Sequence, residues 1–481
     1  MTKTNGNFIG GEWVAATATS ANINPSDTRE TVGDYAQGTA VDVTAAVAAA
    51  TAAFPAWSMT VPYTRHAILA RVAAEITAQT TELAELLSRE EGKTLAEAKG
   101  EVTRAAQIFD FFAAECLRLT GETLASIRPG VGIEITREPL GVIGLITPWN
   151  FPIAIPAWKI APALAHGNCV ILKPADIATA SAWALTEILS RSGLPPGVFN
   201  LVMGKGRVVG QAMTEQPGID AISFTGSVPT GRGIAAACIA SSPMKKVQLE
   251  MGGKNPLVVL DDADLDVAVQ VALNGAFFQT GQRCTASSRL IVTDGIHDRF
   301  VTALTKAMAG LNVGNALETS TQIGPVADVA QLETNLRYIG LGQSEGAHLA
   351  FGGGLLNRAT PGHYLQPALF TQTTPAMIIA REEIFGPVAC VIRVRNYDEA
   401  LAVANDTPFG LSSGICTTSL KHATDFRRQA QAGMVMVNLP TAGVDFHVPF
   451  GGRKGSSYGA REQGSYAREF FTTVKTAYTL A

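Results

Sequence analysis

The chain has 481 residues, 47% of them hydrophobic and 16% charged, so it can bury a large core without disulfides or metals. Its length suggests about two to four domains. The 37 basic and 41 acidic residues give a net charge of −4 without a basic patch, which makes nucleic acid a poor candidate partner. The N-terminus lacks an apolar run after a basic start, and apolar stretches such as 139–146 are short. We therefore expect a cytoplasmic protein without a signal peptide or membrane span.

The first third of the chain is predicted to be helical before it becomes extended. Segments 42–56 and 64–119 are rich in Ala, Leu, Glu and Arg at helical spacing. In segment 126–141, apolar residues alternate with polar ones between turn residues, which indicates an extended ribbon.

From Val142 onward, short apolar runs alternate with helical segments, a pattern typical of crossover units and a mostly parallel sheet. The first set has strands VIGLI, CVILK, FNLVM, AISFT and VQLEM, and helices at 177–192, 205–214 and 229–240. The second set has strands LVVL, RLIVT, ACVIRV, SGICTT and MVMVN, and helices at 264–278, 297–309 and 419–431. Two successive α/β regions, divided near Gly252, are therefore predicted.

The last segment, REFFTTVKTAYTL, has the pattern of a β-strand without a partner nearby in the sequence. We expect it to pair with the ribbon at 124–140 or with another subunit, because unsatisfied strand edges favour association.

Six cysteines are spread along the chain without a close pair or a metal-like spacing, so reduced thiols and no metal site are expected. Cys169 and Cys390 lie in apolar runs, which predicts buried, inert thiols. Cys284 differs, because Gly-Gln-Arg precedes it and Thr-Ala-Ser-Ser follows it. Local context alone leaves both a structural and a reactive thiol open.

Two segments follow predicted strands where a nucleotide would bind. Gly226 and Gly231 lie at a strand-to-helix junction, where free amides and the helix dipole suit a pyrophosphate; a simple tight turn is the alternative. Lys173 and Asp176 follow the strand CVILK, and their side chains suit ribose hydroxyls. The alternative for this pair is an exposed contact at a helix start.

Three further polar residues lie in apolar or glycine-rich surroundings. Glu250 precedes Gly-Gly, and Glu383 precedes Ile-Phe-Gly-Pro; burial would raise the pKa of either carboxyl toward that of a useful base. Asn150 lies in a proline- and aromatic-rich loop after a strand, where its amide suits an oxyanion. Solvated glutamates and a structural turn asparagine are the alternatives.

Seven motifs together resemble the aldehyde dehydrogenase superfamily, nearly from end to end and in the family's order. They are PWNFP (148–152), KPAD (173–176), FTGS (224–227), LEMGGKNP (249–256), FFQTGQRC (277–284), EEIFGPV (382–388) and PFGGRKGS (449–456).

The resemblance implies an α/β fold with three parts. These are a Rossmann-like cofactor domain (1–123 and 141–251), a second α/β catalytic domain (252–466) and a small β oligomerisation element (124–140 and 467–481). The family's use of this element implies a homodimer or homotetramer.

The resemblance also implies NAD(P)-dependent oxidation of an aldehyde to a carboxylic acid through a thioester on Cys284. Asn150 and the backbone N–H of Cys284 would stabilise the oxyanion, and Glu250 would activate water to hydrolyse the thioester. The scheme requires no metal. A coenzyme A-acylating enzyme and a catalytically silent relative are the alternatives.

Cofactor residues carried over from the family are Trp149, Lys173, Asp176, Gly226, Ser227, Glu383 and Phe385. Lys173 and Asp176 would hold the adenosine ribose, and Glu383 the nicotinamide ribose. The family more often has Glu where this chain has Asp176. A carboxylate there favours NAD by repelling a 2′-phosphate, but the shorter Asp leaves room for NADP.

The segments 281–289 and 438–464 resemble the branch that oxidises short semialdehydes ending in a carboxylate. We therefore expect α-ketoglutaric semialdehyde as the substrate; succinate semialdehyde, glutarate semialdehyde or a broad range of aldehydes are the alternatives. Trp158 stands where succinate semialdehyde enzymes commonly have an arginine.

Arg283 is the candidate clamp for the substrate carboxylate, although a structural ion pair is an equal alternative. Arg453 is the next basic candidate. Phe151, Trp158 and Phe450 are expected to form aromatic walls of the substrate tunnel.

Overall fold

Strands and helices alternate along most of the chain. The computed structural model describes residues 5–480. Its strands are β1 (Asn7–Ile9), β2 (Glu12–Val14), β3 (Thr19–Ile23), β4 (Thr31–Ala36), β5 (Glu122–Ala125), β6 (Val131–Pro139), β7 (Val142–Ile146), β8 (Cys169–Lys173), β9 (Phe199–Leu201), β10 (Ala221–Thr225), β11 (Lys246–Glu250), β12 (Asn255–Val259), β13 (Ser287–Thr293), β14 (His348–Phe351), β15 (Ala368–Thr373), β16 (Val388–Val394), β17 (Ser412–Cys416), β18 (Met434–Val437), β19 (Ser457–Tyr458) and β20 (Thr472–Leu480).

Helices cover both main sheets. They are α1 (Ala40–Ser58), α2 (Pro62–Ala78), α3 (Thr80–Glu91), α4 (Leu95–Glu115), α5 (Ala154–Ala165), α6 (Thr179–Ser190), α7 (Gln211–Glu215), α8 (Val228–Ala240), α9 (Leu265–Phe277), α10 (Asp294–Ala309), α11 (Val329–Ser344), α12 (Ile378–Arg381), α13 (Tyr397–Asn405), α14 (Leu420–Gln429) and α15 (Arg468–Phe471). Short 3₁₀ or π-helical turns lie at Gly206–Gly210, Phe278–Gly281, Lys454–Ser456 and Gly464–Ala467.

The first sheet has the strand order β19-β11-β10-β7-β8-β9-β1-β2. The strands from β11 to β9 are parallel, and the antiparallel strands β19, β1 and β2 extend its two edges. Every residue of β7 and β8 is buried, as continuous apolar runs in a sheet covered on both faces should be.

The second sheet has the order β14-β15-β16-β13-β12-β17-β18, and only its β14–β15 pair is antiparallel. Two apolar clusters fill its two faces, one containing Ile291 and Phe370 and the other containing Leu290 and Phe300. The two predicted α/β regions therefore correspond to the two main sheets with their helices, and the fold class expected from the sequence is confirmed.

The C-terminal strand pairs with the ribbon of its own chain. In the order β20-β6-β5, Thr472 lies opposite Pro139 and Leu480 lies opposite Val131. Two partners were expected for this strand, the ribbon or another subunit, and the structure shows the pairing with the ribbon. All residues of β20 after Thr472 are exposed, so most of this small sheet faces outward.

Some predicted elements differ from those observed. The stretch 64–119 is divided into α2, α3 and α4. The left-handed Gly92 ends α3, and Thr94 starts α4 through a reciprocal capping box with Glu97. Strand β15 and helices α11 and α13 were missed. The two-residue strand β19 leaves the second region and joins the edge of the first sheet beside β11.

By length and hydropathy alone, helix α1 could cross a membrane. Its residues Val43, Ala46, Val47 and Ala50 are buried, and the helix contacts strands of the first sheet. Packing on that sheet accounts for its apolar composition, since such a helix must bury one face against the core.

Candidate active site

Four predicted motifs meet at one edge of the first sheet. Strands β11, β10, β7 and β8 are parallel neighbours, so their carboxyl ends point to the same side. These ends lead to Glu250, to Gly226, to the 147–152 loop and to Lys173, respectively. Ligands of open α/β sheets bind at this edge.

A groove of about 510 Å³ lies at this edge between the turn at 206–210, α7 and α8. Ile146 and Ile234 provide apolar wall, and Arg207 and Thr230 provide polar groups. Such a groove fits a nucleotide base and its flanking groups, because small-molecule sites combine an apolar lining with a few polar contacts.

The residues predicted to bind the ribose and the pyrophosphate form hydrogen bonds with near neighbours in the sequence. Lys173 Nζ donates to Asp176 Oδ1 at 2.9 Å, and the Asp176 side chain is 37% exposed. Ser227 caps α8, its hydroxyl accepting from the Thr230 N–H at 3.4 Å. The free N–H groups at the start of this helix suit an anion.

Glu383 lies close to the junction between the two sheets. Its Oε1 accepts from the Gly253 N–H at 2.7 Å, and a Cβ at Gly252 would collide with the same carboxylate. Burial raises the pKa of Glu383 to about 7. Phe385 is nearby in sequence and packs edge-on against Trp149, with 5.3 Å between ring centroids.

The loop before Cys284 has an unusual backbone. Gln279, Thr280 and Gly281 are all left-handed, with φ values of 53°, 55° and 64°. A Cβ at Gly281 would collide with the Gly386 carbonyl, so only glycine fits there. Non-glycine residues in this region store about 1–3 kcal/mol each, a cost that often occurs at functional sites.

Two asparagines hold this loop in place. Asn255, at the start of β12, donates from Nδ2 to the carbonyls of Cys284 at 2.7 Å and Ala286 at 3.0 Å. Asn150 donates from Nδ2 to the Gln282 carbonyl at 3.0 Å, so its side chain lies beside the backbone that precedes Cys284.

Cys284 lines a cavity of about 270 Å³. The structure places Phe151, Trp158, Arg283 and Phe450 on the wall of the same cavity. The Trp158 and Phe450 rings are 5.4 Å apart between centroids. All four residues predicted for the substrate are therefore brought together with the predicted nucleophile.

Burial raises the pKa of the Cys284 thiol to about 12, and the nearby Glu383 and Glu250 carboxylates raise it further. Both effects disfavour the thiolate. The neutral thiol is therefore the resting form near neutral pH, and the nucleophile needs activation.

Glu250 ends β11 and is 2% exposed. Its Oε2 accepts from the Ser457 hydroxyl at 2.5 Å, across the β11–β19 pair. Burial, followed by the charge of Glu462, raises the pKa of Glu250 well above the ordinary value, while the Ser457 hydrogen bond lowers it. A carboxyl in this state suits general-base chemistry.

Of the two candidate clamps for the substrate carboxylate, Arg283 lines the cavity and Arg453 does not. Arg283 donates from Nη2 to the carbonyls of Asn274 and Gly275 near the end of α9. Burial lowers its pKa to about 10, so it remains a cation near neutral pH. Arg453 is exposed and is not part of the cavity wall.

Sequence reasoning missed the contribution of α4 to the cavity. Glu97, Glu101 and Arg104 all line it. Their spacing of four and then three residues places them on one helical face, which was a usable signal. Asn255 and Ser457, which hold the Cys284 loop and Glu250, were missed as well.

The groove at the carboxyl edge of the first sheet suits a nucleotide, and the cavity lined by Cys284 suits a reaction at a thiol, which together are typical of a nucleotide-dependent enzyme with a cysteine nucleophile. The Aldehyde dehydrogenase family model matches residues 13–477, and the chain belongs to this family of NAD(P)-dependent, aldehyde-oxidising enzymes.

Named relatives match over nearly their full length. The alpha-ketoglutaric semialdehyde dehydrogenase of Bacillus subtilis is 44% identical over 476 residues, covering 98% of this chain and 97% of the relative. The alpha-ketoglutarate semialdehyde dehydrogenase of Haloferax volcanii is 42% identical, with 99% of each chain covered.

Solved structures agree with the fold. Betaine aldehyde dehydrogenase from Staphylococcus aureus in complex with NAD+ has a TM-score of 0.96 and 33% identity, covering 99% of this chain and 95% of that one. An E. coli NADP dependent enzyme has a TM-score of 0.96 and 35% identity, covering 99% and 98%.

Proposed function

We propose that this protein oxidises α-ketoglutaric semialdehyde to 2-oxoglutarate, with NAD as its first cofactor, in the cytoplasm. The observation that carries the proposal is the cavity that holds Cys284 between aromatic rings and two arginine side chains, Arg104 and Arg283. A guanidinium in the cavity wall suits an aldehyde with a distal carboxylate. The names and identities of the relatives support the same substrate.

In the proposed reaction, the Cys284 thiol first gives up its proton to water in the cavity. The resulting thiolate attacks the aldehyde carbon, the carbonyl oxygen becomes an oxyanion, and a thiohemiacetal forms. The oxyanion is held by the backbone N–H of Cys284 and by the Asn150 Nδ2 hydrogen that is not donated to Gln282. The nicotinamide cofactor, when bound, supplies the hydride acceptor. The product on the enzyme is then a thioester of Cys284.

Glu250 completes the reaction by taking a proton from a water molecule, which adds to the thioester carbonyl. The Cys284 sulfur leaves as a thiolate, and the acid is released. Hydrolysis in this way makes coenzyme A unnecessary.

For the cofactor, we propose that Lys173 and Asp176 hold the adenosine ribose, and that Gly226 and Ser227 hold the pyrophosphate. Glu383 would hold the nicotinamide ribose, with Trp149 and Phe385 packing nearby. The lining of the 510 Å³ groove and the capped start of α8 fit these groups. Asp176 favours NAD, because a 2′-phosphate would meet its carboxylate.

The substrate proposal is tested by steady-state kinetics with α-ketoglutaric semialdehyde and pentanal, a neutral aldehyde of equal length. We expect kcat/KM to be about thirty- to a hundredfold higher for the semialdehyde, the value of one charged contact in a desolvated site. NAD and NADP are compared in parallel, and coenzyme A is added to detect an acylating activity. Equal kcat/KM values would replace the proposal with a broad-specificity aldehyde dehydrogenase.

We further propose that the first sheet forms the cofactor domain, the second the catalytic domain, and β5, β6 and β20 an oligomerisation element. Val474, Tyr478 and Leu480 share one face of the edge strand β20 and are exposed. An exposed edge with apolar side chains favours pairing with another copy.

We therefore expect a homodimer or homotetramer in light scattering at micromolar concentration. Tyr478→Glu should shift the protein toward monomer, because it places a charge in the apolar face. Thr473→Glu, on the opposite face of the same strand, is the matched control and should leave the assembly intact. A monomeric wild-type protein would contradict the assignment.

A further inference from the structure

The charged side chains of the Cys284 cavity are not equally available to a ligand. Its wall contains Glu97, Glu101, Arg104 and Arg283. A substrate carboxylate requires a cation whose hydrogen-bond donors are not already used by the protein. The bonding partners of these four groups therefore decide which of them can act.

Both carboxylates are satisfied by backbone and side-chain donors. Glu97 accepts from the N–H groups of Thr94 at 3.0 Å and Gln279 at 2.8 Å. Glu101 accepts from the N–H groups of Ile153 at 2.9 Å and Ala154 at 3.0 Å. Lys93 donates to its other oxygen at 2.5 Å. Neither acid forms an ion pair with Arg104 or Arg283 in the described chain.

Arg283 is tied to the protein as well. Its Nη2 donates to two carbonyls, those of Asn274 and Gly275, near the C-terminal end of α9. Carbonyls near a helix end are natural partners of a guanidinium. The group therefore anchors α9 to the Cys284 loop, and its loss would disturb the nucleophile itself.

In the described part of the chain, the Arg104 side chain forms a single hydrogen bond, and its acceptor is a side chain rather than a backbone carbonyl. Its Nη2 donates to Gln463 Oε1 at 3.2 Å, and its guanidinium lies 6.0 Å from the Trp158 ring centroid. Its Nε is buried and has no hydrogen-bond partner, which is also true of Arg283 Nε, so the two residues differ in what their Nη2 atoms bind. Within residues 5–480, Arg104 forms no ion pair. Buried donors are nearly always paired, so this one suits a ligand acceptor.

The charge of Arg104 also reaches the reacting sulfur. Burial lowers the pKa of Arg104, and the negative charges of Asp445, Glu101 and a Cys284 thiolate raise it. An arginine remains protonated near neutral pH even when it is partly buried. A cation thus stands in the same cavity as the nucleophile and interacts with it electrostatically.

We propose that Arg104 holds the distal carboxylate of the substrate and thereby determines specificity for acidic semialdehydes. This inference rests on the proposed function, since it names the residue that recognises the same substrate. The guanidinium fork binds a carboxylate through two parallel hydrogen bonds, and the Trp158 ring centroid lies 6.0 Å from this group.

The test uses Arg104→Met, which removes the charge but keeps an apolar chain against Trp158. We expect the ratio of kcat/KM for α-ketoglutaric semialdehyde to that for pentanal to fall about thirty- to a hundredfold, mostly through KM. Arg104→Lys keeps the charge without the fork and should recover part of the ratio. Lys99→Met removes an exposed cation from the same helix and should leave the ratio unchanged.

A second measurement does not depend on semialdehyde turnover. The inhibition constant of 2-oxoglutarate against pentanal oxidation should weaken at least about tenfold in Arg104→Met, because the product carries the same carboxylate. NAD binding and labelling of Cys284 by iodoacetamide establish that each variant is folded.

The outcomes separate the two proposals. If the wild-type protein prefers the semialdehyde and Arg104→Met keeps that preference, the Arg104 assignment is overturned while the proposed function stands. If Arg283→Met alone removes the preference, Arg283 is the clamp and the assignment is also overturned. If the wild-type protein has no preference, the proposed function fails and the assignment falls with it.

Discussion

Cys284→Ala is expected to abolish aldehyde-dependent NADH formation, with a loss in kcat of at least about 10⁴-fold. Without the sulfur no thiohemiacetal forms, and the aldehyde cannot reach the state from which hydride departs. The side chain lines the cavity, and the loop that carries it is fixed by Asn255 through backbone contacts that alanine retains. Binding of NAD, measured by fluorescence quenching or calorimetry, should therefore remain close to the wild-type value.

The matched control is Cys116→Ala. Cys116 is also a free thiol, but it is buried at the end of α4 and is not part of the cavity wall. Its replacement should leave turnover nearly unchanged and cost at most a small loss of stability. Substantial turnover in Cys284→Ala, or equal losses in both variants, would contradict the thioester mechanism.

The two α/β regions could be predicted from the sequence because buried parallel strands are recognisable from their composition. VIGLI and CVILK are apolar throughout, and the structure buries each of their residues. Pairing by parallel neighbours then brings distant motifs to one edge. For that reason, Lys173, Gly226 and Glu250 meet although 77 positions separate the first from the last.

The contacts that tune the site were much harder to predict. Ser457 reaches Glu250 through a strand of two residues, which is too short to leave a periodic signal. Lys159 and Glu462 form a buried ion pair although 303 positions separate them. Both contacts depend on β19 and the residues after it packing against the first sheet. Local sequence patterns do not predict this long-range packing.

The contacts of the two arginine side chains in the Cys284 cavity could not be predicted from the sequence either. Arg283 directly precedes the nucleophile in sequence, which makes it the candidate clamp, with a structural role as an equal alternative. The direction of its guanidinium is set by carbonyls of α9, which only the structure reveals. Arg104 lies 180 positions from Cys284, and no spacing rule connects the two.

Glu250→Gln is expected to separate acylation from hydrolysis. Because the glutamine amide cannot accept a proton from water, the thioester should form once and then persist. A rapid-mixing experiment should record a burst of NADH close to one per Cys284, followed by a steady rate lower by about 10²–10⁴-fold. Mass spectrometry of the stalled protein should detect the acyl group on Cys284. Normal steady-state turnover would remove Glu250 from this role.

The pH dependence of thioester hydrolysis tests the role of Glu250 in a second way. Burial and the neighbouring Glu462 raise the pKa of Glu250, so its carboxylate form becomes populated only as the pH rises through this raised value. The hydrolysis rate should therefore increase with pH, along a limb at higher pH than a solvated carboxyl would give. Glu250→Gln should lose this limb.

Ser457→Ala provides the decisive comparison, because it leaves the carboxyl in place and removes a hydrogen bond that lowers its pKa. The same change also removes the acceptor of the Gly452 N–H, at 2.6 Å. The Ser457 hydroxyl donates to Glu250 Oε2 at 2.5 Å and lowers its pKa. Without that bond the pKa should rise further, and the hydrolysis limb should move to higher pH with little change in its plateau. Measurement on the preformed thioester keeps the titration of the Cys284 thiol out of the profile. An unchanged limb in Ser457→Ala would mean that a group other than Glu250 takes the proton from water.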